Sequence, residues 1–192
     1  MAKSNPLEGK KIAFLVANEG IEQVELTGPW QAVQEAGGTP VLIAPEPGSA
    51  QAFNHLDRAD KFPVDMTTES ADHTQFAGVV LPGGVANPDA LRTDGAAVKF
   101  VTDAAAAGSP IAAICHGPWT LIEAGLVAGK TLTSWPSLKT DIRNAGGHWQ
   151  DEPVVASRER GWTLITSRKP ADLDAFNTAF VEAFAEWPRS MA

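Results

Sequence analysis

The chain reads as an α/β protein built on a mostly parallel sheet. Short apolar runs of strand length alternate with stretches of helical spacing along the whole chain. Strands separated by helices need crossover connections, which run the strands parallel and cover both faces of the sheet. The runs themselves are apolar almost throughout, as strands buried on two faces are.

Each element has a local reason. Ile12 to Ala17 is apolar and bounded by polar residues, and so predicts a central strand. Val24, Trp30, Val33 and Ala36 lie on roughly helical spacing, closed by Gly37-Gly38. Pro29 inside that stretch predicts a kink or a late helix start. Pro40 to Ala44 is the second strand. Residues 45–75 carry a turn at Pro45, Pro47 and Gly48 and a short strand candidate at Phe62 to Asp65. Gly78 to Leu81 is the third buried strand, stopped by Pro82-Gly83-Gly84. Ala96 to Ala107 is a helix ending at Gly108, Pro110 to Ile114 a fourth strand, and Gly117-Pro118 opens a helix that ends near Gly125. Lys130 to Ser134 predicts a strand, and Ser137 to Ala145 a helix closed by Gly146-Gly147. Val154 to Ser157 and Trp162 to Thr166 flank a polar turn and predict a hairpin. Leu173, Phe176, Phe180 and Phe184 mark the apolar stripe of a final helix from Pro170 to Trp187.

Composition bounds the function. The 192 residues suit one domain, 1–192 with a core over about 11–187, and 44% are hydrophobic. No stretch approaches the ~18 apolar residues of a membrane span. Met1 to Pro6 has no apolar run after Lys3 and does not read as a signal peptide. The net charge of −8 argues against general affinity for nucleic acid. Arg158, Arg160, Arg168 and Lys169 are interleaved with other residues and read as a solvated rim. A single cysteine cannot close an internal disulfide, which fits a reducing, cytoplasmic setting.

In open parallel sheets the chemistry sits at the carboxyl ends of the strands, and three such ends carry candidate residues. The last is Cys115, between its strand and its helix and followed by His116. A tight turn there lifts the sulfur from the sheet, and a helix N-terminus favours the thiolate. A buried cysteine acting as a small hydrophobe is the plain alternative. The first end carries Glu22 and Glu25, which share a face if the segment is helical. They read as dipole-complementing acids of a first turn, or as a carboxyl placed beside the thiol. The glycine turn Gly83-Gly84 could offer amides to an oxyanion, or be a plain loop. The N–H of His116 is a second such donor. His55, His73 and His148 have no metal-ligand spacing and read as surface residues. No metal is expected, and no dinucleotide or phosphate fingerprint calls for a cofactor. Trp119, Trp135 and Trp149 are pocket walls or ordinary packing.

Taken together, these residues resemble the ThiJ/PfpI superfamily, in its intracellular protease I-like branch. The resemblance is carried by Ala17-Asn18-Glu19 with Glu22 and Val24-Glu25-Leu26, by Val80-Leu81-Pro82-Gly83-Gly84, and by Ala113-Ile114-Cys115-His116-Gly117-Pro118. Downstream it is carried by Thr133-Ser134-Trp135-Pro136, Asn144-Ala145-Gly146-Gly147, Thr166-Ser167-Arg168 and Pro170-Ala171-Asp172-Leu173. It spans about Lys11 to Phe184. It implies a flavodoxin-like three-layer sandwich, a homodimer or larger homo-oligomer with the site near a subunit interface, Cys115 as nucleophile and Glu22 as the carboxyl beside the sulfur. It also implies that His116 pairs with an acidic residue of a neighbouring subunit, and Asp89 matches that residue by position after the glycine turn.

The expected chemistry is a low-pKa Cys115 thiolate that adds to a carbonyl, with Gly83 or Gly84 and His116 holding the oxyanion and His116 or Glu22 moving protons. Three classes follow: a stress-response cysteine hydrolase acting on carbonyl or peptide and amide substrates, a cofactor-independent glyoxalase or protein deglycase, and a redox-sensing stress protein that oxidises Cys115.

Overall fold

The computed structural model describes residues 5–188. Met1 to Ser4, read above for a leader, lie outside them. In chain order the strands and helices are β1 (Lys11–Leu15), β2 (Glu19–Glu22), α1 (Gln23–Glu35), β3 (Thr39–Ala44), β4 (Ser49–Asn54), β5 (Asp57–Pro63), β6 (Met66–Thr67), β7 (Val79–Leu81), α2 (Ala86–Leu91), α3 (Gly95–Ala106), β8 (Ile111–Ile114), α4 (Pro118–Glu123), β9 (Thr131–Leu132), α5 (Lys139–Asn144), β10 (His148–Trp149), β11 (Val154–Ser157), β12 (Leu164–Ser167) and α6 (Leu173–Glu186).

The central sheet runs β11-β12-β8-β7-β1-β3-β6. Every pairing in it is parallel except β11 with β12, which is the expected hairpin. Side chains of a strand alternate between the two faces. Ala13 and Leu15 enter one core with Val101, Leu121 and Leu138. Ile12, Phe14 and Val16 enter the other with Val33, Phe176, Phe180 and Phe184. Both faces are covered, so the strand shows no polar alternation in the sequence.

The order of strands decides where a site can form. From β1 the chain crosses to β3 on one side, then returns to β7 on the other. The connections therefore part company between β1 and β7, and a crevice opens at the carboxyl ends of these strands. β8 lies next to β7, so its end faces the same crevice.

Several local expectations are corrected. α1 starts at Gln23, six residues before Pro29, and runs through it to Glu35, so the late start is not what the proline causes. Residues 45–75 contain a hairpin, β4 with β5, which pairs through β4 with β2 in a separate sheet. Its tip, His55-Leu56, is exposed, with His55 at φ 58°. Lys130 to Ser134 shortens to β9, which pairs with β10 apart from the main sheet. α2, with Pro88 inside it, lies in a stretch to which the sequence pattern assigned no element. Among the described residues no helix is long and apolar enough to cross a membrane.

A buried cation closes the last helix. Nζ of Lys10 donates to the carbonyls of Phe184 (2.9 Å), Ala185 (2.7 Å) and Trp187 (2.6 Å). These are acceptors left over at the end of α6, where a positive charge also meets the negative end of the helix dipole. Lys10→Met would bury those acceptors beside an apolar tip. It is expected to lower the unfolding free energy by about 2 kcal/mol, read as a shift in urea midpoint, while Lys10→Arg loses less.

Candidate active site

Three backbone segments, unconnected in sequence, meet at the crevice. Cys115 follows β8 directly, with φ 61°. That left-handed conformation is costly for a residue with a Cβ. It persists because neighbours on both sides fix the backbone: N–H of Cys115 donates to Ser167, its carbonyl accepts from Trp135, and N–H of Gly117 donates to Ile114. A Cβ on Gly117 would lie 2.5 Å from the carbonyl oxygen of Leu81, so this turn needs glycine. The elbow is the expected one, and Cys115 lies at the bottom of the crevice, the whole residue only 7% exposed.

The carboxyl beside the sulfur belongs to Glu25, which corrects the assignment to Glu22. Glu19–Glu22 is a strand, not a helical turn, and Glu22 is the extended residue just before α1. The two acids therefore do not share a helix face. Glu25 is fully buried, hydrogen-bonds the Cys115 sulfur and accepts the N–H of Gly83 on Oε2 at 3.0 Å. Glu22 stays at the rim, where its Oε2 accepts the N–H of His55 at 3.1 Å.

Burial raises the Glu25 pKa from 4.5 to about 8, the Glu22 charge adds to this, and the sulfur and the glycine amides oppose it. Glu25 is thus a neutral acid near pH 7, able to donate to sulfur or to a reacting oxygen. Its Oε1 is buried without a hydrogen-bond partner. A carboxylate there would carry an unsatisfied charge, and the protonated acid does not.

The thiol environment differs from the expected one. Burial pushes the Cys115 thiol up, and an ionised Glu25 pushes it further, while the amides of Gly84 and His116 donate to the sulfur and pull it down. Two adjacent buried acids do not both ionise, so the pair carries at most one negative charge near neutrality. The low-pKa thiolate inferred from a helix N-terminus is not what this site provides, since α4 is six residues long and desolvation dominates.

The oxyanion donors are also narrowed. The Gly83 amide donates to Glu25, the Gly84 amide lies between that carboxyl and the sulfur, and the His116 amide faces the sulfur. A Cβ on Gly83 would lie 2.2 Å from Glu25 Oε2 and 2.6 Å from Cys115 Cβ. The glycine is there for contact with both reactive groups. Asn87, which the sequence reading passed over, ties the crevice together. Its side chain accepts the N–H of Ala17 at 2.7 Å and donates to the carbonyls of Pro82 and Gly83 at 3.0 Å each.

His116 joins the sulfur, with Nδ1 3.2 Å from Sγ. Burial lowers its pKa, so the ring is neutral. Trp135 stacks on it at 6.0 Å and Trp119 meets it edge-on at 5.1 Å. Asp89 lines the same cavity but is 65% exposed and 3.8 Å from Arg92, and within the chain it does not bond His116. The cavity holds about 680 Å³ between Phe53, Leu56, Val85, Trp135 and the acidic rim. No lysine or arginine lines it. Among the described residues no group of three His, Cys, Asp or Glu side chains could hold a metal ion.

Comparison with known proteins places the chain in one family. The sequence model of the DJ-1/PfpI family matches residues 10–183. "Putative cysteine protease YraA" of Bacillus subtilis is 38% identical over 88% of this chain and 94% of its own length. "Deglycase PH1704" of Pyrococcus horikoshii is 37% identical over 90% of this chain and 98% of its own. Among solved structures, Drosophila melanogaster DJ-1beta superposes with a TM-score of 0.80 at 26% identity, over 92% of this chain and 90% of that one.

The raised Glu25 pKa makes stability pH-dependent. Between pH 4.5 and about 8 the folded protein keeps a proton that the unfolded chain has released, so stability falls as pH rises through that window. Glu25→Gln removes the titration. Relative to the parent it is expected to gain on the order of 2–4 kcal/mol between pH 5 and pH 8, measured as urea midpoints. Equal slopes for both proteins would mean that Glu25 is not held protonated.

Proposed function

The chain belongs to the DJ-1/PfpI family, and on that premise we propose a cysteine-dependent enzyme that attacks small carbonyl compounds, a glyoxalase or deglycase with Cys115 as nucleophile. One observation carries the reading: a neutral buried acid, Glu25, lies against a sulfur at the bottom of a narrow cavity. A cysteine 7% exposed beneath that rim admits an aldehyde more readily than a folded polypeptide.

The steps follow from the site. His116 Nδ1 takes the Cys115 proton as sulfur attacks the aldehyde carbon of a dicarbonyl such as methylglyoxal. The oxyanion forms against the amides of Gly84 and His116 and takes the proton of Glu25, giving a hemithioacetal and a Glu25 carboxylate. That carboxylate removes the proton from the former aldehyde carbon while the imidazolium of His116 protonates the neighbouring oxygen, giving an enediol. Glu25 then delivers its proton to the neighbouring carbon and recovers one from the hydroxyl that becomes the thioester carbonyl. The product is a lactoyl thioester, and water cleaves it to lactate and the free thiol. Water is the only co-reactant, and no step needs glutathione.

Amide or peptide hydrolysis is the second reading, favoured by His116 standing 3.2 Å from the sulfur as a base for acyl transfer. "Putative cysteine protease YraA" lends it further support. A homo-oligomer with the cavity mouth at the subunit interface is part of either reading. The apolar rim of Leu56, which is 94% exposed, Val85 and Trp135 supports it, as does the exposed carboxylate of Asp89.

The test is enantiospecific detection of lactate from methylglyoxal without glutathione. Cys115→Ala is expected to abolish lactate, Glu25→Gln to lower kcat by at least ~10²-fold, and Glu22→Gln to keep most of the rate. Lactate formation unaffected by Cys115→Ala would remove the proposal. A Glu22→Gln loss as deep as that of Glu25→Gln would move the proton transfer to the rim.

A further inference from the structure

A neutral imidazole has a lone pair on only one of its two nitrogens, so which nitrogen faces the sulfur in which form decides whether His116 can act as base. Nδ1 lies 3.2 Å from Cys115 Sγ. Nε2 lies 3.4 Å from Oγ of Ser137, in the 3₁₀ turn Pro136–Leu138. The stacked Trp135 and the edge of Trp119 hold the ring between them. Trp119 is itself fixed, by Nε1 donating to Asp141 at 2.9 Å and by Arg92 at 5.3 Å from its ring. The Ser137 hydroxyl has no other hydrogen-bond partner among the described residues.

We propose that Ser137 is the positioning residue of His116: its hydroxyl oxygen accepts the Nε2 proton and so keeps Nδ1 as the lone-pair nitrogen that receives the proton of Cys115. This rests on Cys115 being the nucleophile. The alternative tautomer puts N–H on Nδ1, against a sulfur that already receives the amides of Gly84 and His116 and hydrogen-bonds the neutral Glu25. Nothing there would then take the thiol proton by way of the ring. In the transfer the S–H bond breaks, its electron pair stays on sulfur, and a new N–H bond forms at Nδ1. The resulting imidazolium keeps its Nε2–H on Ser137. Within the chain Asp89 does not serve this purpose, because its carboxylate faces Arg92.

Two readouts on the full-length protein test this. The ¹⁵N shifts of the His116 ring nitrogens report which one carries the proton, and the rate of Cys115 alkylation by iodoacetamide at pH 7 reports the proton transfer. In the parent, Nε2 is expected to be protonated and Nδ1 bare. Ser137→Ala is expected to mix the tautomers and slow alkylation roughly five- to tenfold. Ser137→Thr restores both, and His116→Gln slows alkylation by roughly 10². A proton on Nδ1 in the parent overturns the proposal. So does a Ser137→Ala variant that changes neither readout, or a tautomer that follows Asp89→Asn instead. If the tautomer follows Ser137 while Cys115 of the parent resists alkylation, the positioning stands and the nucleophile reading falls.

Discussion

The contact between the Glu25 carboxyl and the Cys115 sulfur is the constraint to which the rest of the site answers. It joins the first turn of α1 to the end of β8 through the interior of the protein, with the Gly83 amide on the same carboxyl. Three chain segments can approach this closely only if the middle one has no side chain, and a Cβ on Gly83 would overlap both reactive groups. Asn87 then supplies the hydrogen bonds that the crowded backbone of Ala17, Pro82 and Gly83 requires. Burial that would be costly around a charge is tolerated because one of the two acids stays protonated.

Topology explains why the contact falls where it does. The crossovers from β1 diverge toward β3 and β7, and the opening between them lies beside the end of β8. From Ile12 to Leu15 and along β7 and β8 the residues are at most 1% exposed, so the strand ends are firmly packed. The walls of the cavity come from outside that framework. The β4–β5 hairpin contributes Phe53, His55 and Leu56, and the segment after β9 contributes Trp135. The base of the cavity is thus built from core strand ends and its walls from surface segments.

What was legible in the sequence is what local patterns encode. The central strands, α3, α6 and the terminal hairpin answer to apolar runs, glycine and proline stops and the phenylalanine spacing of α6. Cys115, His116 and the glycine turn stand out because a lone thiol at a strand-to-helix junction is chemically unusual wherever it occurs. The β4–β5 hairpin was not legible. β5 is exposed along most of its length and its residues carry no buried alternation. The identity of the carboxyl was not legible either, since Glu22 and Glu25 are equivalent on an ideal helix and only the pairing of β2 with β4 takes Glu22 out of it.

The sequence by itself determined the fold class and the buried strands and singled out Cys115 at its strand-to-helix turn, because each is written in residue type and short-range period. Tertiary structure alone decided which acid touches the sulfur, which amides reach the carboxyl and the sulfur, and the direction in which burial shifts the pair. Those depend on desolvation and on contacts between residues up to 90 positions apart, Glu25 and Cys115 among them. Neither quantity exists until the strand ends have come together.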